Sequence, residues 1–161
     1  MQYSWGRGGL NVGQGNADNN RDTVRKQMSQ NLREQYVCQF QKAMEQDVDI
    51  PYNAKTLYLR ESLIEEEFKE LSAEIQDAIA ELEHGGEVTK ATQEKILKEL
   101  CDLLYVVSGF AVTFGLPVQP AFNRVHESNM SKLEEGRPIY SEWGKVLKGK
   151  NYKPPTLGDL L

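Results

Sequence analysis

Residues 64–82 read IEEEFKELSAEIQDAIAEL, and their spacing decides the fold class. At one residue per 100°, Ile64, Phe68, Leu71, Ile75, Ile79 and Leu82 fall within an arc of about 80°. That is the apolar stripe of an amphipathic helix, and nothing in the stretch alternates as a strand would. The helix starts near Asn53, a good N-cap, and runs to His84, where Gly85 and Gly86 stop it. At roughly 32 residues it is long for a globular helix, which leaves room for a break within it.

The same pattern extends outward in both directions. A first helix is predicted from Asp22 to Gln46, with Val37, Cys38, Phe40 and Met44 on its apolar side, and Pro51 ends the connector. A third runs from Thr89 to Gly115, with Pro117 beyond it. Its second half, Leu103 to Val112, is apolar all the way round, so other helices or another subunit must surround it. A fourth spans Pro117 to Leu133, closed by Gly136. Residues 1–20 are rich in Gly and Asn and have almost no apolar content, which predicts a flexible segment. Residues 21–139 form the helical domain, and residues 140–161, with Trp143, Pro154 and Pro155, read as an extended basic arm. The expected architecture is all-α: a bundle of four to five helices, assembled as a homodimer or homotetramer.

Composition sets the bounds on function. The 161 residues are 39% apolar and 27% charged, as in an ordinary single soluble domain. A net charge of −5 argues against a nucleic-acid partner. No apolar stretch is long enough to span a membrane, and the N-terminus lacks the apolar core of a signal peptide. Cys38 and Cys101 have no metal-ligand spacing and read as two buried free thiols in a reducing cytoplasm. Charge is unevenly spread. Six glutamates lie between Glu61 and Glu74, and four lysines with no acid lie between Lys145 and Lys153.

Glu66, Glu67 and Glu70 span only about 100° of the second helix and sit beside its apolar stripe. Glu99 and Asp102 are about 60° apart on the third, where Asp102 opens the apolar segment. Two antiparallel helices would bring four or five carboxylates into one semi-buried pocket. Such a group repels itself, and the usual remedy is a hard divalent cation; an all-oxygen set suits Mg²⁺ or Mn²⁺. A di-iron bundle would need Glu-x-x-His twice. Glu81 and His84 supply it once, and the other histidine, His126, follows Asn123 at that spacing.

Glu66-Glu67-x-x-Glu70, then 28 residues, then Glu99-x-x-Asp102 resembles the EExxE…ExxD signature of the all-α NTP pyrophosphohydrolases. These include MazG, dimeric dUTPases and phosphoribosyl-ATP pyrophosphohydrolase. Leu63 to Glu67, Asp102 to Val107 and Val125 to Lys132 are similar to the phosphoribosyl-ATP-pyrophosphohydrolase-like MazG branch of bacteria and phages, over about residues 36–155. The resemblance implies a MazG-like bundle and Mg²⁺-dependent cleavage of a nucleoside triphosphate to the monophosphate and pyrophosphate. It implies Glu67, Glu70, Glu99 and Asp102 as metal ligands, and Glu66 as the water-activating base or a further ligand. Asn129 and Lys132 would reach sugar or phosphate, Tyr105 would line the pocket, and Lys148, Tyr152 and Lys153 would close over phosphates. It leans to dGTP or GTP, over dUTP, dCTP or a damaged nucleotide. Phosphoribosyl-ATP ranks lower because the chain is longer than enzymes of that substrate tend to be. The reading from another class is a catalytically silent helical interaction module.

Overall fold

The computed structural model describes residues 32–161. The Gly/Asn-rich segment and the start of the first predicted helix lie outside them. Four α-helices follow in order: α1 (Leu32–Ala43), α2 (Ala54–Glu83), α3 (Lys90–Thr113) and α4 (Val118–Met130), with a 3-10 turn at Gly158–Leu160. Among the described residues the only β pairing is two isolated bridges, so the fold is all-α. No single helix among them is long and apolar enough to cross a membrane.

The helix limits follow local chemistry. The Asn53 side chain accepts the Thr56 amide at 2.9 Å and caps α2, and Thr89 does the same for α3 through the Thr92 amide at 3.2 Å. Helix α2 is unbroken over its 30 residues. Gly115 takes a left-handed φ of 62° just past α3, which is open to glycine at no steric cost. The connector after α1 settles the far end of α3: the Asp49 and Ile50 amides donate to the Val112 and Thr113 carbonyls at 3.1 and 2.9 Å.

Helix α3 is the centre of the structure, with α2 antiparallel along one side and α1 on another. The side of α3 facing α1 is polar where it is deepest. Gln41, 1% exposed, donates to the Gly109 carbonyl at 3.3 Å and to Thr113 Oγ1 at 3.1 Å. Arg60 of α2, 7% exposed, reaches the same place. A Cβ on Gly109 would meet its guanidinium at 3.4 Å and the Gln41 amide at 3.5 Å. The buried apolar side chains are Val37, Ala78, Ala111, Val112 and Phe114, a small core for this length of helix.

Much of the apolar surface of α2 and α3 therefore faces outward. Phe68, Ile75, Ile79 and Leu82 of the α2 stripe are exposed, because the contact with α3 runs along the stripe's polar edge. On α3, Leu97, Leu100, Leu104 and Val107 are exposed as well, so this chain's own helices do not surround that helix. Cys101 lies on this uncovered side: both cysteines are free as expected, but Cys101 is exposed and Cys38 half-buried.

Helix α4 turns back through 116° from α3 and makes only marginal contact with the other helices. The C-terminal arm instead returns along α4. Arg124 donates to both Asp159 carboxylate oxygens and, at 2.8 Å, to the Thr156 carbonyl. This pairing holds the Asp159 carboxyl below its ordinary range. The arm is thus docked, with a tight turn at Ser141–Lys145 that carries Trp143 at its tip, 92% exposed.

The polar layer beneath α1 is testable. Replacing Gln41 by Ala removes two buried hydrogen bonds and leaves the Gly109 region with a void. We expect a loss of about 1–3 kcal/mol, read as a lower urea midpoint with an unchanged m-value.

Candidate metal centre

The α2–α3 seam runs in a fixed antiparallel register. Near its closed end the Glu81 carboxylate accepts from the Thr89 amide at 2.8 Å and from the Thr92 hydroxyl at 2.5 Å. One step along, Glu74 pairs with Lys95 at 3.4 Å. Next come Glu70 and Glu67 opposite Glu99, and at the far end Arg60 lies against Gly109. From Glu74 and Lys95 onward, each step back along α2 is matched by an equal step forward along α3, because antiparallel helices share one rise per residue.

Glu67, Glu70 and Glu99 each bring a carboxylate oxygen within 4.8 Å of the other two. Glu99 is buried at 8% exposure, Glu67 is half-buried and Glu70 is exposed, so the trio forms a gradient from seam to solvent. Burial, then the neighbouring charges of Glu70 and Asp102, push the Glu67 carboxyl above its ordinary range. Asp102 is close enough to contribute to that field but stands outside the trio. Its Oδ2 receives Lys98 Nζ at 2.9 Å. The same ammonium donates to both Glu99 oxygens, at 3.0 and 2.9 Å. Those two carboxylates, hydrogen bonds first, hold the Lys98 pKa well above the ordinary lysine value.

These residues fit a hard divalent cation. A six-coordinate Mg²⁺ with bonds of about 2.1 Å spaces its ligand oxygens by about 3–4 Å. The trio's oxygens lie within 4.8 Å of one another, and side-chain rotation can bring them to that spacing. The donors are all oxygen, as Mg²⁺ or Mn²⁺ prefers.

The remaining candidates lie outside the trio. Glu66 is exposed beside the trio, where its charge acts on Glu67. The Tyr105 ring packs edge-on against Phe40 of α1 at 5.5 Å. Asn129 and Lys132 sit together at the end of α4, with Lys132 Nζ donating to Asn129 Oδ1 at 2.7 Å. Lys148 lies over the Tyr152 ring, 4.4 Å from its centroid. From the helical rise and the 116° turn, Asn129 is roughly 15–20 Å from Asp102 in the same chain. Lys98 is the residue that the sequence reading passed over. Its position beside Glu99 and four before Asp102 was the available signal, since residues four apart share a helix face.

Residues 35–129 match the sequence model of the phosphoribosyl-ATP pyrophosphohydrolase family. None of the curated proteins matches the chain.

Self-repulsion in the trio gives an expected outcome. A carboxyl whose folded pKa is raised contributes stability that is full below its unfolded pKa and is lost as pH rises through the folded value. Metal-free Glu67→Gln should therefore melt higher than the parent at pH 7, by about 2–4 °C, with the difference vanishing below about pH 4. Mg²⁺ should raise the parent's melting temperature and move the variant's less. Calorimetric scans across pH, with and without Mg²⁺, check both.

Proposed function

Because the chain belongs to the phosphoribosyl-ATP pyrophosphohydrolase family, we propose that it hydrolyses a nucleoside triphosphate between the α and β phosphates. The products are the nucleoside monophosphate and pyrophosphate. The observation that carries this reading is the meeting of three carboxylates from two helices beside a fourth, in one half-open seam.

Glu67, Glu70 and Glu99 would hold Mg²⁺, or Mn²⁺ in its place, and Asp102 would join them on release from Lys98. Bound there, the metal supplies charge neutralisation for the phosphates and a lower pKa for a water. The chain's own residues do the rest. Glu66, exposed and outside the trio, accepts the proton that the attacking water loses. Lys98, freed from its carboxylates, is a cation on an exposed stem facing the same seam. Asn129, Lys132 and Lys148 bind the substrate's sugar and phosphates. Tyr105, one turn after Asp102, would line the pocket while its ring meets Phe40 edge-on.

On the base, dGTP or GTP is the first candidate, ahead of dUTP, dCTP and damaged nucleotides. The description of the matched family favours a second reading, phosphoribosyl-ATP, which carries the same triphosphate. Pyrophosphate release from a panel of these substrates separates the readings, and a silent interaction module would release none. In that assay Asp102→Asn should lose at least about 100-fold in kcat, roughly 2.7 kcal/mol, with helical circular dichroism unchanged. Normal turnover by this variant would remove Asp102 from the site.

The site is proposed to work in an oligomer. Phe68, Ile75, Ile79 and Leu82 on α2 are exposed at steps of seven, four and three residues, and Leu97, Leu100, Leu104 and Val107 on α3 at three, four and three. That is the seam spacing of packed helices, uncovered on both members of one hairpin. A second α2–α3 hairpin covers it as a four-helix bundle. It would also bring another copy's α4 and arm toward the carboxylates, which this chain's own α4 does not approach closely. Light scattering should give a dimer or tetramer at micromolar concentration. Charged substitutions at Leu100 and Ile79 should dissociate it. A monomer of the parent protein would sink this assembly.

A further inference from the structure

Several lysines of α2 and α3 pair with acids, and one of them takes the acids of the metal centre itself. Lys69 pairs with Glu65 at 2.6 Å and Lys95 with Glu74 at 3.4 Å, both outside the trio. Lys90 faces Glu94 at 3.8 Å. Lys98 instead donates to both oxygens of Glu99, at 3.0 and 2.9 Å, and meets Asp102 Oδ2 at 2.9 Å. Whichever Glu99 oxygen belongs to the trio, this ammonium is already on it.

The two partners are held differently. The Glu99 side chain is 11% exposed, whereas that of Lys98 is 63% exposed. The carboxylate is therefore fixed by packing, and the ammonium ends a flexible stem that can swing into solvent without moving the helix. Its charge also acts on Glu67, where it opposes the upward push of Glu70 and Asp102. One ammonium thus acts on three of the four carboxylates, Glu67, Glu99 and Asp102, although it touches only two.

A divalent cation held by the trio would meet this ammonium on Glu99. The two charges would lie roughly 4–5 Å apart, and cations at that separation repel strongly where solvent is partly excluded. Swinging Lys98 away removes the repulsion and returns two carboxylates to the seam. Metal binding is then an exchange of counter-ions, and its apparent affinity is lowered by the fraction of time that the ammonium holds the acids.

We propose that Lys98 is a resident counter-ion that competes with the divalent cation for Glu99 and Asp102, and so sets the metal concentration at which the site loads. The inference rests on the metal-centre half of the pyrophosphohydrolase reading and needs nothing from the substrate. Lys98 is a positioning residue in this role: it holds the two acids together until a cation displaces it.

The test is calorimetric titration of the full chain with Mn²⁺, after EDTA treatment and dialysis, beside melting scans of the same samples. Lys98→Met keeps the aliphatic stem and loses the charge. It should bind Mn²⁺ more tightly than the parent, by about fivefold or more. Without metal it should melt lower, by about 2–4 °C, since the acids then lack their counter-ion. A side chain that merely supported the fold could lower the melting temperature but would not raise metal affinity. Lys98→Arg keeps the charge and forks onto carboxylates at least as well, so the gain in affinity should disappear. Lys90→Met makes the same charge change eight residues earlier on α3, about 12 Å away along the helix. It lies beyond a screening length and should stay within about twofold of the parent. Equal or weaker Mn²⁺ affinity in Lys98→Met, an unchanged melting temperature without metal, or an equal gain in Lys90→Met overturns the proposal. The two readings fail distinguishably. Mn²⁺ binding that ignores Lys98 sinks the counter-ion and keeps the metal centre, whereas no binding by parent and variant alike sinks both.

Discussion

The α2–α3 seam is pinned at its ends and repels itself in the middle. Glu81 ties the start of α3 to the end of α2 through Thr89 and Thr92, and Arg60 and Gln41 close on Gly109 at the other end. Between them the register leaves Glu67, Glu70 and Glu99 no choice but to meet. Helices held at two points cannot slide or roll by the few ångströms that would separate the charges. The packing therefore stabilises an electrostatic arrangement that the carboxylates alone would avoid. Lys98 offsets part of the cost by lying on Glu99 and Asp102. It does not reach Glu67 or Glu70 by any hydrogen bond, and Glu67 is the carboxyl whose proton affinity rises.

The parts legible in the sequence are those set by local periodicity. Asn53, Thr89, Gly85 and Gly115 marked helix ends to within a residue or two, because caps are read from one or two side chains. The approach of Glu67 and Glu70 to Glu99 was also legible, since antiparallel packing of two helices follows from a short connection. What periodicity could not supply was which edge of each stripe faces inward. The α2 stripe was read as the apolar side of the helix, yet α3 packs along its polar border, where Glu74, Glu81 and Arg60 find partners. Hydrogen bonds and ion pairs between particular side chains decided the roll of the helix, and a stripe has no memory of its partner. For the same reason Cys101 was expected inside and lies outside.

The C-terminal arm failed to announce itself for a different reason. Its docking uses two serine hydroxyls, a glycine amide and one arginine–aspartate pair, none of them periodic and all of them common in loops. Composition could report only that lysines are frequent there. It could not report that Gly149 must be glycine, since that depends on the Lys132 carbonyl 17 residues earlier in the chain.

Two oppositely charged regions thus sit on one chain, an acidic seam between long helices and a basic corner where the arm meets α4. They are built by unlike means. The seam is held by side-chain pairs between two long helices, whereas the corner is a loop held by a few exposed or half-exposed hydrogen bonds, the kind that open at low free energy. A triphosphate carries negative charge that the seam repels unless a cation intervenes, and that the corner attracts directly. If a triphosphate is the substrate, as proposed, its hydrolysis would depend on closing the distance between the two. Within one chain that distance is set by the 116° turn between α3 and α4. Across the uncovered heptad seams it would be set by how two hairpins pack. In the proposed assembly the exposed apolar faces and the separated charges are two sides of one requirement: the same contact that covers the leucines would determine which corner meets which seam.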